Sequence, residues 1–356
     1  MDPKNPIGLM SHAIRDHFND MHHLTYPSPV VTIDDNFDSL LVPKDHVSRS
    51  KHDTYYVNKD LLLRCHTSAH QGHGLTRPSR QFVCVADVYR RDAIDATHYP
   101  VFHQCEIFKL FKDEDIGHTV MKKNSERTED CQEVYQKEAS DYVLENLKQT
   151  IEQFIRRLMG TDLEMRWVSA YFPFTHPSLE LEILWKGKWL EILGCGIVEH
   201  KLLTNHKVYD QIAWAAGFGI ERLAMLRYSI PDIRLFWSTD SGFLSQFKDK
   251  DPWDQVTYKP ISSYPQCISD MSFWLPSDGA YSSNDFYDIV RSVGGDLVEQ
   301  VELIDDFLNP KNQKRSHCYR IIYRSNERTL TQKEVNELHK KIGETVTTAL
   351  KVQLRL

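Results

Sequence analysis

Residues 214–228 place two glycines, Gly217 and Gly219, directly before Glu221-Arg222 and a helical run of apolar positions, Ile220, Leu223, Ala224 and Leu226. Glycine lets a ligand approach the backbone closely. An adjacent arginine offers a planar, permanently charged fork that suits a polyphosphate. The spacing predicts a Gly-rich turn opening a helix; a surface Glu-Arg pair is the plain alternative. Other segments carry chemistry as well. They are Arg64-Cys65-His66-Thr67-Ser68-Ala69-His70-Gln71, then Arg90-Arg91-Asp92, Thr97-His98-Tyr99, Phe102-His103-Gln104-Cys105-Glu106, Tyr171–Pro177 and Glu191–Gly196. Together they supply two arginines, an aromatic face the size of adenine, and carboxylates able to take Mg2+. Phosphoryl chemistry on ATP requires such a set, because its catalysis is mostly positioning and charge stabilisation.

These residues must be held by strands and helices that the pattern also reveals. Residues 81–90 and 101–111 read as strands joined by a polar hairpin loop, and 164–171, 178–186 and 188–198 as further strands. Helices are expected over 8–20 and 129–160, the second stopped by Gly160. Asn36-Phe37-Asp38 reads as loop or short strand. After a linker at 240–262 the order is strand 268–275, helix 284–293, strand 297–308, strand 316–325, helix 332–349 and strand 351–355. That is the βαββαβ order of a ferredoxin-like unit. Thr331 and Glu334 form a capping box at the start of the last helix.

Composition sets bounds. A 356-residue chain with 41% hydrophobic and 26% charged residues is globular and long enough for more than one domain. No apolar run reaches the length of a bilayer span, so no membrane partner is expected. The N-terminal stretch has neither a secretory core nor an Arg- and Ser-rich presequence. The 7 cysteines are scattered, without a C-x-x-C pair, and read as free thiols, with Cys65, Cys105 and Cys195 as small hydrophobes. Charge is uneven: residues 260–310 balance at −8 and residues 311–356 at +7, against −7 for the whole chain. A basic terminal segment on an acidic protein suggests a local polyanion contact. On strand 316–325, Arg320 and Arg324 share one face, opposite Tyr319, Ile321 and Tyr323.

A strand ending in arginine, a loop, and a strand opening with an aromatic and a carboxylate resembles motif 2 of class II aminoacyl-tRNA synthetases; 214–228 resembles motif 3. His66-Thr67-Ser68, Asp95–His98, Phe102-His103-Gln104-x-Glu106, Phe172-Pro173-Phe174 and Asn36–Leu40 narrow the resemblance to phenylalanyl-tRNA synthetases of the single-chain organellar type, over nearly the whole chain. The resemblance implies an α+β fold: residues 1–239 a class II catalytic domain with an antiparallel sheet flanked by helices, 240–262 a linker, and 263–356 a ferredoxin-like anticodon-binding domain. It implies ATP as substrate with Mg2+, L-phenylalanine and tRNA(Phe) as partners, a monomer, and action in the mitochondrial matrix. Arg90 and Arg222 would be catalytic. Phe102 and Glu191 would join them at ATP, with Glu191 toward the metal. His66, Ser68, Ala69, His70, Gln71, Thr97, His98, Tyr99, Gln104 and Glu106 would surround the amino acid's polar end. Phe172, Phe174, Gly194, Gly196 and Ala215 would shape its ring pocket, and Arg320 and Arg324 would meet tRNA. His66 and His70, four apart, are alternatively metal ligands. A non-catalytic RNA-binding protein on the same fold is the rival reading; the complete ATP set counts against it.

Overall fold

The computed structural model describes residues 5–79, 81–122, 126–239, 241–260, 264–276, 281–311, 313–325 and 327–355. The ends of the expected linker, residues 240, 261 and 262, and the first residue of the expected C-terminal domain, 263, lie outside them. In chain order the first elements are α1 (Pro6–His17), β1 (His22–Leu24), β2 (Val30–Thr32), β3 (Leu61–Leu63), α2 (Gln71–Leu75), β4 (Gln81–Tyr89), β5 (Val101–Phe111), α3 (Asp113–Ile116) and α4 (Lys137–Met159). Next come β6 (Met165–Phe172), β7 (Thr175–Trp185), β8 (Lys188–Val198), α5 (His200–Asn205), β9 (Ile212–Gly219), α6 (Ile220–Tyr228) and α7 (Ser241–Leu244). The C-terminal part holds β10 (Cys267–Trp274), α8 (Ser283–Gly294), β11 (Val298–Leu308), β12 (Arg315–Tyr323), α9 (Gln332–Leu350) and β13 (Gln353–Leu354).

The large sheet runs β1-β4-β5-β9-β8-β7-β6, antiparallel apart from β1 against β4. Alternate residues of its central strands enter two separate buried clusters, one on each face. On β9, Ile212, Trp214, Ala216 and Phe218 enter the core shared with α1, α4 and α6, while Ala213 and Ala215 join a second cluster on the opposite face. Helix α4 buries Val143, Leu147, Ile151, Phe154, Ile155 and Leu158, spaced at the helical period. Asn146 of α4 accepts the Trp214 indole N–H at 3.1 Å, so the ring that fills the interface is also hydrogen-bonded. Asn5 caps α1 by accepting from the Ile7 amide, with Pro6 at the first position, where its missing N–H costs nothing.

Three local expectations are corrected. Gly217-Phe218-Gly219 is the end of strand β9, not a turn, and neither glycine has a positive φ. Large and small residues alternate there, so the pleat continues through the glycines. The long helix starts at Lys137 rather than 129, after an extended Gln136; Cys131 and Tyr135 are buried, but from a loop. Residues 34–38 wind into one helical turn that buries Asn36 and Phe37.

The C-terminal sheet runs β11-β12-β10-β13, covered on one face by α8 and α9. Tyr319, Ile321 and Tyr323 are buried on that face. Thr331 and Glu334 make the reciprocal capping box of α9. Phe243, Phe247 and Val256, inside the stretch expected to link the domains, are buried in the core shared with α1, α4 and α6.

Contacts between the two parts centre on the loop joining β4 to β5. Arg91 pairs with Asp285 at 2.9 Å and Asp288 at 3.4 Å. Arg291 donates to the Asp92 and Ala93 carbonyls at 3.0 and 2.9 Å, and the Tyr99 hydroxyl donates to Asp296 at 2.7 Å. Arg234, itself paired with Asp232, donates to the Asp296 carbonyl at 2.7 Å.

Gly196 shows how tightly β7 and β8 approach. A Cβ there would lie 2.3 Å from the Pro177 carbonyl oxygen and 2.8 Å from the Thr175 Cβ, and backbone cannot swing aside. Gly196→Ala is expected to cost about 1–3 kcal/mol through overpacking. Urea unfolding measures it; an unchanged midpoint would show that the strands separate freely.

Candidate active site

A cavity of about 630 Å³ opens on the face of the large sheet away from α4. Its lining includes His66, Ser68, Arg90, Gln104, Glu106, Phe172, Phe174, Glu191, Gly194 and Ala215, ten of the residues singled out in the sequence. The floor is Glu106 on β5, only 3% exposed. Ser68 donates to its carboxylate at 2.9 Å, Thr67 at 3.3 Å and Gln71 at 2.5 Å. Gly217 on the paired strand makes room: a Cβ there would sit 3.3 Å from the Glu106 carboxylate. Burial pushes the Glu106 carboxyl upward, while the Gln71 and Ser68 donors and His66 pull the other way. A carboxylate so placed favours a cationic ligand group that completes its hydrogen bonds.

The aromatic wall comes from the β6–β7 hairpin. Phe172 and Phe174 lie nearly parallel, ring centroids 5.9 Å apart. Gly194 seats the first of them, since a Cβ there would come within 2.6 Å of the Phe172 ring. Its smallness therefore admits a protein ring rather than a ligand. Ala215, 4% exposed, stands between Phe108 and Gly196 on neighbouring strands. These apolar surfaces make a slot that can take a flat ring.

On the far side of Glu106, Arg90 donates to the Cys65 carbonyl at 2.8 Å and lies 5.2 Å from the Phe102 ring centroid. Arg222 is exposed and donates to the Glu191 carbonyl at 3.0 Å, so the end of β9 and start of α6 bring it beside β8. Glu180, partly buried on β7, has its carboxyl raised by burial and by the like charges of Glu191 and Glu182. Among the described residues no group of three His, Cys, Asp or Glu side chains is arranged to hold a metal by itself.

Other candidates stand outside the cavity. Gln71 and Ala69 are buried beneath it, Gln71 against Glu106. His70 is buried and stacked on Tyr26, centroids 3.9 Å apart, with Arg64 at 3.1 Å from its Nε2. Thr97 and His98 turn around Asp95, whose hydrogen bond raises the His98 pKa. Tyr99 reaches the C-terminal part. Gly196 serves strand packing. Arg320 is held by Asp270 through two hydrogen bonds of 2.9 Å, and Arg324 is paired with Glu299.

Sequence reasoning missed several supports. Glu221 is 2% exposed and accepts from the His103 amide at 2.8 Å and its ring at 2.7 Å, locking α6 onto β5. Its only signal was its place in the first helical turn beside the buried Ile220 and Leu223. Asn36 donates to the Cys65 thiol at 2.9 Å and accepts from its amide at 3.1 Å. Burial works to raise that thiol, but His66, Asn36 and Arg90 outweigh it and bring it to about 7. Cys65 is therefore polarised rather than a plain apolar filler, whereas Cys105 and Cys195 are pushed up by burial.

The tRNA synthetases class II core domain (F) matches residues 2–126 and 134–247, and the ferredoxin-fold anticodon binding domain matches residues 262–355. The phenylalanine-tRNA ligase, mitochondrial, of Mus musculus is 47% identical over 99% of this chain and 81% of its own length. The chloroplastic/mitochondrial phenylalanine-tRNA ligase of Arabidopsis thaliana is 48% identical over 99% and 78%. The chain belongs to the phenylalanine-tRNA ligase family. The phenylalanine-tRNA ligase alpha subunit of a Prochlorococcus marinus strain is 36% identical over 68% of this chain and 64% of its own length. The ligase family thus carries both the class II core and the ferredoxin-fold domain here on a single chain.

His70 gives a pH test of the support beneath the site. Burial, then the neighbouring Arg64, depress its pKa to about 3, against 6.5 for the free side chain. The unfolded chain binds this proton below 6.5 and the folded one does not, so stability rises with pH between about 3 and 6.5. His70→Gln keeps an acceptor for Arg64 and removes the titration. The acid side of its stability profile should flatten by up to about 1.4 kcal/mol per pH unit. Parallel profiles for the two proteins in urea titrations from pH 4 to pH 7 would contradict this.

Proposed function

We propose that the cavity makes this chain a phenylalanine-tRNA ligase that activates L-phenylalanine with ATP and charges tRNA(Phe) in organellar protein synthesis. The observation that carries the reading is one cavity holding an aromatic slot, a buried carboxylate ringed by donors, and Arg90 at its edge. The phenyl ring would lie against Phe172 and Phe174 with Ala215 at its closed end. The Glu106 carboxylate would accept from the ammonium group, with His66 and Gln104 beside the carboxylate of the amino acid. Phe102 would stack on adenine, Arg222 would flank it toward the γ-phosphate, and Arg90 would meet the α-phosphate. The phenylalanine carboxylate oxygen then attacks the α-phosphorus, the bond to pyrophosphate breaks, and phenylalanyl-adenylate forms. A ribose hydroxyl at the tRNA 3′ end next attacks the acyl carbon and AMP leaves. Positioning and charge stabilisation supply much of the rate.

Mg2+ fits the residues present. Glu180 and Glu191 offer hard oxygen donors whose mutual repulsion a cation relieves. Mg2+ commonly takes one or two carboxylates together with substrate phosphates. Bound there, it would offset charge on the phosphates. The relatives named mitochondrial support action in the mitochondrion, and a monomer is the state we infer for the chain.

Pyrophosphate exchange against each of the twenty amino acids tests the function: exchange is expected with phenylalanine, and exchange with none would overturn it. Arg222→Ala and Arg222→Lys should each lower phenylalanine-dependent exchange by about a hundredfold or more, since a compact ammonium cannot replace a stacked planar fork. Near-normal exchange in Arg222→Ala would remove Arg222 from the ATP site.

Specificity offers a second test. An apolar pocket rejects an added hydroxyl by only about a hundredfold. Ala215→Gly should admit para-chlorophenylalanine and raise tyrosine activation relative to phenylalanine. Unchanged ratios among the three amino acids would place Ala215 away from the ring.

A further inference from the structure

Residues 127–133 lie between the two stretches that match the class II core. The Thr128 amide donates to the Cys131 carbonyl at 2.9 Å, which closes residues 128–131 into a tight turn. Residues 128–130 are exposed, but Gln132, just beyond them, is only 2% exposed. Its side chain is fully used. The amide N–H groups donate to the His176 carbonyl at 2.8 Å and the Val198 carbonyl at 3.1 Å, and the amide oxygen accepts from the His200 backbone N–H at 2.8 Å. A planar amide satisfies three backbone groups at once only where they stand at fixed separations.

Those groups belong to the start of β7 and the end of β8, where the aromatic wall is anchored. Thr175 pairs with Val198, and the Glu199 amide donates to the Phe174 carbonyl at 2.9 Å. Two further bonds join the same segment to the same place. The His176 ring donates from Nε2 to the Thr128 carbonyl at 2.7 Å, and Arg127 pairs with the Glu199 carboxylate. β6 is the edge strand of the large sheet, so the hairpin bearing Phe172 and Phe174 has a neighbouring strand, β8, on one side only. Residues 127–133 supply a second support, within two residues of Phe174.

Resting on the ligase reading, we propose that Gln132 is a positioning residue for amino-acid selection, holding the Phe174 side of the ring slot at the width of a single phenyl ring. It touches no substrate and acts through the backbone of His176 and Val198. An apolar slot discriminates by contact alone, so it rejects a broader ring only if its wall cannot retreat. Removing the Gln132 amide frees the wall, because the carbonyls it held must then find other partners. Selectivity is thereby set from a segment outside the core match.

Gln132→Met in the full chain keeps the volume and removes all three bonds. In pyrophosphate exchange its KM for phenylalanine should rise about tenfold, while kcat and the KM for ATP stay within about twofold of the parent. Exchange with 2-naphthylalanine, whose ring system is broader, should rise about tenfold relative to phenylalanine. His176→Ala removes one of the supporting bonds from a partly buried side chain and should raise the KM for phenylalanine about threefold; it carries the test if Gln132→Met does not fold. Hydrogen exchange across residues 170–178 reads the support without activity and should quicken about tenfold in Gln132→Met. An unchanged KM for phenylalanine in folded Gln132→Met would overturn the proposal. Equal rises for phenylalanine and ATP would do so too, since a merely structural role moves both. Absence of pyrophosphate exchange in the parent would instead overturn the ligase reading, and hydrogen exchange would still decide whether Gln132 holds the hairpin.

Discussion

A single buried guanidinium organises the catalytic part. Arg64 is fully buried, at the junction between β3 and the 3-10 turn Thr67–His70. It donates to the carbonyls of Tyr26, Ser28 and Asp87, to the Asp87 carboxylate and toward His70. Removing such a cation from water is costly unless its donors are matched, and here they are. The reverse also holds: three carbonyls on two segments, Tyr26 with Ser28 and then Asp87, depend on it. Its own carbonyl accepts from Tyr89, one residue before Arg90, and Arg90 in turn donates to the Cys65 carbonyl. The segment 65–71 therefore has little freedom, although it belongs to no strand of the large sheet.

Rigidity continues upward from that anchor. Ser68, Thr67 and Gln71 reach Glu106 because the turn holding them is fixed, and Glu106 reaches them because Gly217 leaves its side vacant. Glu221 then ties the same strand to the helix bearing Arg222. The polar floor, the aromatic wall and the exposed arginine are thus separate outcomes of one set of strand pairings, β5 with β9 and β9 with β8. Catalytic positioning requires side chains whose own rotamers are held by neighbours.

What was legible in the sequence was periodic or local. Strand β5 was read with its bounds, and β11, β12 and the capping box of α9 were read to within about two residues, because alternation and capping act over short separations. The Gly217–Gly219 segment misled because glycine and alanine carry little hydrophobic signal, leaving Trp214 and Phe218 to mark the pleat. Helix α4 was begun early because Val134 packs against the core from a turn that precedes the helix. The partners of Arg91 and His70, Asp285 and Arg64, were not legible, since they are fixed by the fold, not by spacing. Composition placed positive charge in the terminal segment, but could not reveal that Asp270 and Glu299 already hold Arg320 and Arg324.

The loop between β4 and β5 also has a protective bearing on its neighbour. Ile94 is 5% exposed and belongs to the hydrophobic cluster of the C-terminal part, and its carbonyl accepts the Val301 amide at 2.8 Å. Val301 lies on β11, the outermost strand of that sheet. An uncovered edge strand is a template for pairing with another chain. The β4–β5 loop therefore acts as a guard rail on an otherwise sticky border. Lifting the C-terminal part away would bare a socket and a strand edge together, and the side chain at position 94 sets how readily that border is uncovered.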